Sequence, residues 1–133
     1  MSISGFFKKL GAELRNTRWS WGGVREDGSV VLRVWQDETK TRDGVLVARL
    51  TYNDKFRDNP ENLGFKERNE HINLIKSGRT AILVMCKAVD PQTEPRSIAS
   101  FNERDVFKGS TLHEFGGDYW IQIDERLPVL SLI

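Results

Sequence analysis

The sequence predicts an α+β fold in which two helices pack on a mostly antiparallel, twisted sheet, or on a small β-barrel built from the same strands. Short runs of alternating apolar and polar residues, which are typical of strands, recur along the 133-residue chain. Turn dipeptides that contain glycine separate several of these runs, as at Asp27-Gly28 and Gly116-Gly117. Two other stretches repeat their apolar residues at helical spacing.

The first helical stretch covers about residues 3–14. Its apolar side chains recur every three or four residues and are expected to face the sheet: Phe6, Phe7, Leu10 and Leu14. A hairpin should follow, with a strand over 18–25, the turn at Asp27-Gly28 and a strand over 30–36. In this interpretation Trp19 and Trp21 share one face of the first strand, and Arg33 and Trp35 share one face of the second.

The middle of the chain is predicted to hold a polar loop over 36–44, a strand over 45–52 and a second loop. Asn59-Pro60 is typical of a helix start, with asparagine as the cap and proline in the first helical position. That helix should run to about Ser77 and stop at Gly78. We expect its exposed side to carry the charged residues Lys66, Glu67, Arg68 and Glu70.

Residues 80–89 are apolar on both faces and are predicted to form the central strand. A short strand over 96–101 and a final hairpin, 106–114 with 119–123, complete the sheet. The apolar tail over 127–133 is expected to dock along a groove or on a partner. We predict one domain over residues 1–133, with the sheet or barrel core over about 18–123.

Composition bounds the possible functions. No apolar run is long enough to cross a bilayer and no secretory signal is recognisable, so we expect a cytoplasmic protein without a membrane partner. Cys86 is the single cysteine, and its apolar surroundings indicate a buried, unreactive thiol. The net charge is +1, yet residues 1–25 carry five basic side chains and one acidic. Such an uneven distribution is compatible either with a polyanion partner or with scattered, solvated charge.

The sequence offers no catalytic or metal-binding motif. The histidines, His71 and His113, and the lone cysteine are not at ligand spacing, and no GxSxG or phosphate-binding loop is present. Glu67 and His71 lie one helical turn apart, which we interpret as a surface ion pair. We therefore predict a protein that is not an enzyme and that uses no cofactor or metal.

The remaining signal is a set of aromatic and arginine residues in or next to predicted strands. Aromatic rings stack on nucleobases, and arginine binds phosphate or guanine. The candidate nucleic-acid-binding residues are Trp19, Trp21, Arg33, Trp35, Arg49 and Trp120. The alternative is that these residues form the core and its rim.

The segments RNTRWSWGGVREDGSVVLRVWQDE, NLGFKERNEHINLIKSG, VMCKAVDP, RSIASFN, VFKG and DYW resemble a poorly characterised bacterial domain. That domain occurs at the N-terminal part of some HNH-type nucleases and in small stand-alone proteins. The resemblance covers about 13–123, and the strand order is similar to the PUA-like class of small barrels. It implies binding of RNA or of modified DNA bases in an aromatic-lined pocket, without a nuclease, since the chain has no HNH histidine cluster.

The leading hypothesis is a non-catalytic module that binds DNA or RNA, with a modified or flipped base held by the aromatic and arginine face. The alternative is a protein-interaction or self-associating domain. Its contact surface would be the aromatic face together with the apolar tail over 127–133.

Overall fold

The computed structural model describes residues 1–133 and contains two helices and eight strands. The helices are α1 (Ile3–Lys9) and α2 (Leu63–Lys76). The strands are β1 (Gly22–Val24), β2 (Val30–Trp35), β3 (Thr39–Arg42), β4 (Val45–Arg49), β5 (Ala81–Ala88), β6 (Ile98–Phe101), β7 (Asp105–Phe115) and β8 (Asp118–Pro128). Short 3-10 turns lie at Gln36–Glu38 and Val129–Ser131.

All eight strands belong to one mixed sheet, in the order β1-β2-β5-β7-β8-β4-β3, with β6 paired to the end of β5. Only β2 and β5 run parallel, and the six other strand pairs are antiparallel. The predicted α+β class and the twisted, mostly antiparallel sheet are therefore confirmed. The alternative of a closed barrel is wrong, because β1 and β3 remain as separate edge strands.

Two hydrophobic cores lie on the two faces of the sheet. On one face, α1 packs its phenylalanines against β2 and β5. On the other, α2 packs Ile72 and Ile75 against β2, β4 and β5. The alternation predicted for β2 is confirmed, since Val30, Leu32 and Val34 join the second core while Val31 and Trp35 join the first. The strand β5 contributes to both cores, as its sequence predicts.

Both helices are shorter than predicted. Helix α1 ends at Lys9 because Gly11 adopts a left-handed conformation with φ of 79°, which terminates a helix efficiently. Helix α2 begins at Leu63, so the predicted start at Asn59-Pro60 is wrong. Asn62 is the cap, and its side-chain oxygen accepts a hydrogen bond of 3.1 Å from the Phe65 amide. The predicted stop at Gly78 is confirmed by its φ of 108°.

The strand predicted over 18–25 is reduced to Gly22–Val24. Upstream of it, Asn16 and Ser20 close a compact turn, because the Ser20 amide donates to the Asn16 carbonyl and the Ser20 hydroxyl accepts from the Asn16 amide. Local side-chain hydrogen bonds of this kind compete with strand pairing. Trp19 and Trp21 therefore do not share a strand face.

The polar loop predicted over 36–44 contains the edge strand β3, which pairs with β4. Threonines and cations are typical of an edge strand that is open to solvent, and such a strand has no apolar face to reveal it in the sequence. Asp43 and Gly44 both have positive φ and form the tight turn between β3 and β4.

The final hairpin is longer than predicted, since β7 and β8 each span eleven residues. Strand β8 therefore takes Leu127 and Pro128 from the predicted tail. Val129 is buried in the first core and Leu132 packs against that core, whereas Leu130 and Ile133 are exposed. Part of the tail's apolar surface thus contacts its own chain. Neither helix is long and apolar enough to cross a membrane.

Candidate functional site

A concave pocket of about 890 Å³ opens where the chain before β1, the end of β2 and the chain after β4 converge. Five aromatic side chains line it: Trp19, Trp21, Trp35, Tyr52 and Phe56. Its volume is that of typical small-ligand sites, which bury most of a ligand's surface. We call this the aromatic pocket.

The aromatic side chains hold one another in place. The ring of Trp21 meets Tyr52 edge-on at 6.4 Å and tilts against Phe56 at 5.6 Å between ring centroids. Burial raises the pKa of Tyr52 to about 12, so its phenol stays neutral. Trp19 is half-buried, and no aromatic or cationic side chain stacks on its ring.

Cations outnumber carboxylates in the pocket lining. The six basic residues are Arg18, Arg33, Arg49, Lys55, Arg68 and Arg96, and the three acidic residues are Glu38, Asp54 and Glu94. Two arginines are neutralised within the protein. Arg49 pairs with Asp118 at 2.8 Å and with Glu38 at 3.4 Å. Arg96 pairs with Asp37 at 2.7 Å and also contacts Glu38 at 3.2 Å.

Arg33 differs, because its guanidinium forms no ion pair and no hydrogen bond with any protein group. It lies 5.7 Å from the ring centroid of Trp35, and Arg96 lies 5.3 Å from the same centroid. Arg33 is half-buried, and burial lowers the pKa of its guanidinium. A partly buried cation without a counter-charge is costly, and an anionic ligand would relieve that cost.

Arg68 forms the floor of the pocket and is 2% exposed. Its guanidinium donates to three backbone carbonyls: Leu50 at 2.8 Å, Arg33 at 2.8 Å and Trp21 at 3.2 Å. It also lies 5.4 Å from the ring centroid of Trp21. Burial lowers the pKa of Arg68 to about 10, so it stays charged at neutral pH. The prediction that Arg68 is solvated is wrong.

Behind the pocket lies a buried polar group, Ser20, Glu67 and His71. The Ser20 hydroxyl donates to Glu67 at 3.2 Å, while Oε1 of Glu67 and Nδ1 of His71 have no partner. Glu67 is 4% exposed and His71 is 7% exposed, and no ion pair joins them. The predicted surface ion pair, and the predicted solvation of Glu67, are therefore wrong: this side of α2 packs against the chain before β1.

Burial also affects the protonation of Glu67 and His71. Burial raises the pKa of Glu67 and lowers that of His71 to about 4, with Arg68 adding to the effect on His71. Both groups are thus driven towards their neutral forms. The predicted burial of Cys86 is confirmed, and burial raises the pKa of its thiol to about 11. No group of three or more potential ligands is arranged to hold a metal ion.

The structure brings together five of the six candidate residues from the sequence: Trp19, Trp21, Arg33, Trp35 and Arg49 all line the aromatic pocket. Trp120 does not line it. That tryptophan is 8% exposed and stacks on Phe115 at 4.9 Å, on the sheet next to Arg49.

Sequence reasoning missed Phe56, Arg68 and Arg96 as pocket residues. Phe56 lies in a loop, where no periodicity indicates a direction. Arg96 lies just before β6, although the sequence prediction places it at the start of the strand over 96–101. The sequence does carry a signal for the burial of Arg68. Position 68 lies at helical spacing with the apolar residues at 65, 72 and 75, which form the buried stripe of α2. Because Arg68 is charged, the sequence prediction assigns it to the exposed side of the helix.

Comparisons of the chain with protein families, curated proteins and solved structures found no match. The resemblance to the bacterial domain and to the PUA-like class therefore stays a prediction. The function must be argued from the geometry of the pocket.

Replacing Arg68 by methionine should lower the free energy of unfolding by about 3 kcal/mol, because three buried or part-buried carbonyls each lose a hydrogen bond from its guanidinium, at about 1–3 kcal/mol each. Urea denaturation would measure this loss. Lys66→Met is the matched control, since Lys66 is exposed on the same helix and pairs only with exposed Glu61. Equal stability of the two variants would contradict the role of Arg68.

Gly64→Ala should displace the indole of Trp21. An added Cβ would lie 2.5 Å from Cε2 of Trp21 and 2.7 Å from the Trp19 carbonyl oxygen. The usual gain of about 1 kcal/mol for alanine in a helix should become a loss of about 1–3 kcal/mol. We expect tryptophan emission to shift to longer wavelength. Gly5→Ala in α1 is the control, and an unshifted spectrum for Gly64→Ala would refute the contact.

His71 should make stability depend on pH. Its pKa is 6.5 as a free side chain and about 4 in the fold, so below pH 6.5 the unfolded chain binds a proton that the folded chain rejects. The free energy of unfolding should therefore fall by roughly 3 kcal/mol as the pH drops from above 6.5 to about 4. Denaturation at several pH values should show this fall, and its His71-dependent part should vanish in His71→Gln. Identical pH profiles would exclude the effect.

Proposed function

We propose that the chain is a non-catalytic nucleic-acid-binding module that holds one unpaired nucleobase in the aromatic pocket. The base would come from a single strand or be flipped out of a duplex, and modified bases are included among the candidates. The observation that carries the proposal is the unpaired guanidinium of Arg33 among aromatic walls. A nucleotide combines a flat ring, which would stack on the aromatic walls, with a negative charge, which would pair with Arg33.

The ring of Trp19 supports stacking, because no aromatic or cationic side chain covers it. A base stacked on an aromatic side chain contributes about 1–3 kcal/mol to binding. The guanidinium of Arg33 supplies planar donors that match phosphate or a base edge. The excess of cations also argues against a cationic ligand, such as a methylated lysine, because positive walls oppose the attraction of the rings.

The concave shape favours an unpaired base over a duplex read through its grooves. A groove reader needs a protruding helix or ribbon, whereas a flipped base needs a recess with aromatic sides. The pocket volume of about 890 Å³ is ample for one nucleotide.

Arg33→Gln should weaken binding of a short single-stranded oligonucleotide about tenfold to a hundredfold, since a hydrogen bond to a charged group contributes about 1.5–3 kcal/mol. Trp19→Ala should weaken it by a similar factor, because the base can no longer stack there. Tryptophan fluorescence or anisotropy would be titrated at low and moderate salt with single-stranded, duplex and modified-cytosine oligonucleotides. Binding should decrease steeply with salt through counterion release.

Arg79→Gln is the matched control, because Arg79 is an exposed arginine that lines a different cavity. It should leave the affinity unchanged. If no oligonucleotide binds at low salt, or if Arg33→Gln binds as well as the unmodified protein, the proposal fails. Sizing of the protein in solution would then address the self-association alternative.

A further inference from the structure

A second group of aromatic and basic side chains lies outside the aromatic pocket. Phe115 and Trp120, from the hairpin of β7 and β8, stack nearly parallel at 4.9 Å with 13° between their planes. Lys40 of β3 lies 4.8 Å from the Phe115 centroid and 4.7 Å from that of Trp120. Arg42 lies 3.7 Å from the Phe115 centroid. We call these four side chains the flanking face.

The two cations of the flanking face are available to a ligand. Lys40 and Arg42 are both exposed, and Lys40 forms no ion pair. Arg42 has only a 3.7 Å contact with the carboxylate of Asp43, which is itself 92% exposed. Such an exposed contact contributes little free energy and competes weakly with a stronger anion. The rings, by contrast, are largely covered, so they hold the cations rather than offer a surface to a base.

The flanking face is continuous with the aromatic pocket. Arg49 lines the pocket, and Trp120 is its directly opposed partner on β8. Opposed residues of antiparallel strands carry their side chains on the same face, with Cβ atoms about 4.5–5.5 Å apart. Arg42 is opposed to Val45 on β4, four residues from Arg49, which places it about 13 Å along the strand.

We propose that the flanking face binds the phosphates of the strand that continues from the nucleotide in the aromatic pocket, through Lys40 and Arg42. This inference rests on the proposed function and extends it from one nucleotide to a strand. Lys40 and Arg42 are free cations that aromatic rings hold in position, and they lie along one sheet face that starts at the pocket. Such a row of cations suits the repeating negative charge of a sugar–phosphate backbone. The shared chemistry is the phosphate, so DNA and RNA should both use the face.

The test compares a nucleoside monophosphate with a six-nucleotide strand, in a deoxythymidine arm and a uridine arm. The double variant Lys40→Gln/Arg42→Gln should weaken binding of the strand roughly fivefold to thirtyfold in both arms. It should lower the slope of log affinity against log salt by about 0.7 for each phosphate that the variant no longer binds. Its affinity for the monophosphate should be unchanged, whereas Arg33→Gln should weaken binding of both ligands.

Arg126→Gln is the control, because Arg126 lies 5.1 Å from the Phe107 centroid on the same hairpin, away from the pocket. It should bind both ligands normally. Unchanged strand affinity and salt slope in the double variant, beside weaker binding in Arg33→Gln, would overturn the flanking face and leave the pocket standing. An equal decrease of strand affinity in Arg126→Gln would also overturn the proposed role of the flanking face. Weaker binding in the double variant but not in Arg33→Gln would retain the phosphate contact and refute the pocket.

Discussion

The architecture of the aromatic pocket depends on the hydrogen bonds that the guanidinium of Arg68 donates. This guanidinium holds three backbone carbonyls that belong to separate segments: Trp21 before β1, Arg33 within β2 and Leu50 after β4. Three of the segments that line the pocket are thus tied to one side chain of α2. Arginine suits this position because its planar group carries five donors in a fixed arrangement, which lysine does not.

The same interaction determines the electrostatics of the site. Arg68 donates to three carbonyl oxygens while its Nε has no hydrogen-bond partner. No carboxylate pairs with it, and its charge persists beneath the pocket. Glu38, by contrast, is shared between Arg49 and Arg96, so those two arginines are largely compensated. The uncompensated positive charge therefore lies at Arg18, Arg33 and Arg68, which all line the pocket. This distribution of charge would oppose the binding of a cation.

Helix α2 also shapes the pocket through its first turn. Gly64 has no side chain, so the indole of Trp21 can lie directly on the helix backbone. From there the ring contacts Tyr52, Phe56 and Arg68, and it joins the aromatic wall to the floor. The strands β3, β4 and β8 extend the same positive surface outward. Lys40 and Arg42 lie over the stacked rings of the flanking face, of which Trp120 is directly opposed to Arg49. The pocket and the flanking face thus form one surface.

The sequence by itself determined the α+β class, the central strand β5, the alternation of β2 and the turns at glycine, because each of these depends on neighbours a few residues away. It also determined five of the pocket residues as candidates, since their residue types carry the chemistry. Only the tertiary structure decided that β1 is short, that the sheet stays open, that Trp120 lies outside the pocket, and that Arg68, Glu67 and His71 are buried. The physical reason is that the partners of these groups come from distant segments. A buried arginine at position 68 is stable because three carbonyls between positions 21 and 50 accept its hydrogen bonds. No local pattern around position 68 predicts these acceptors.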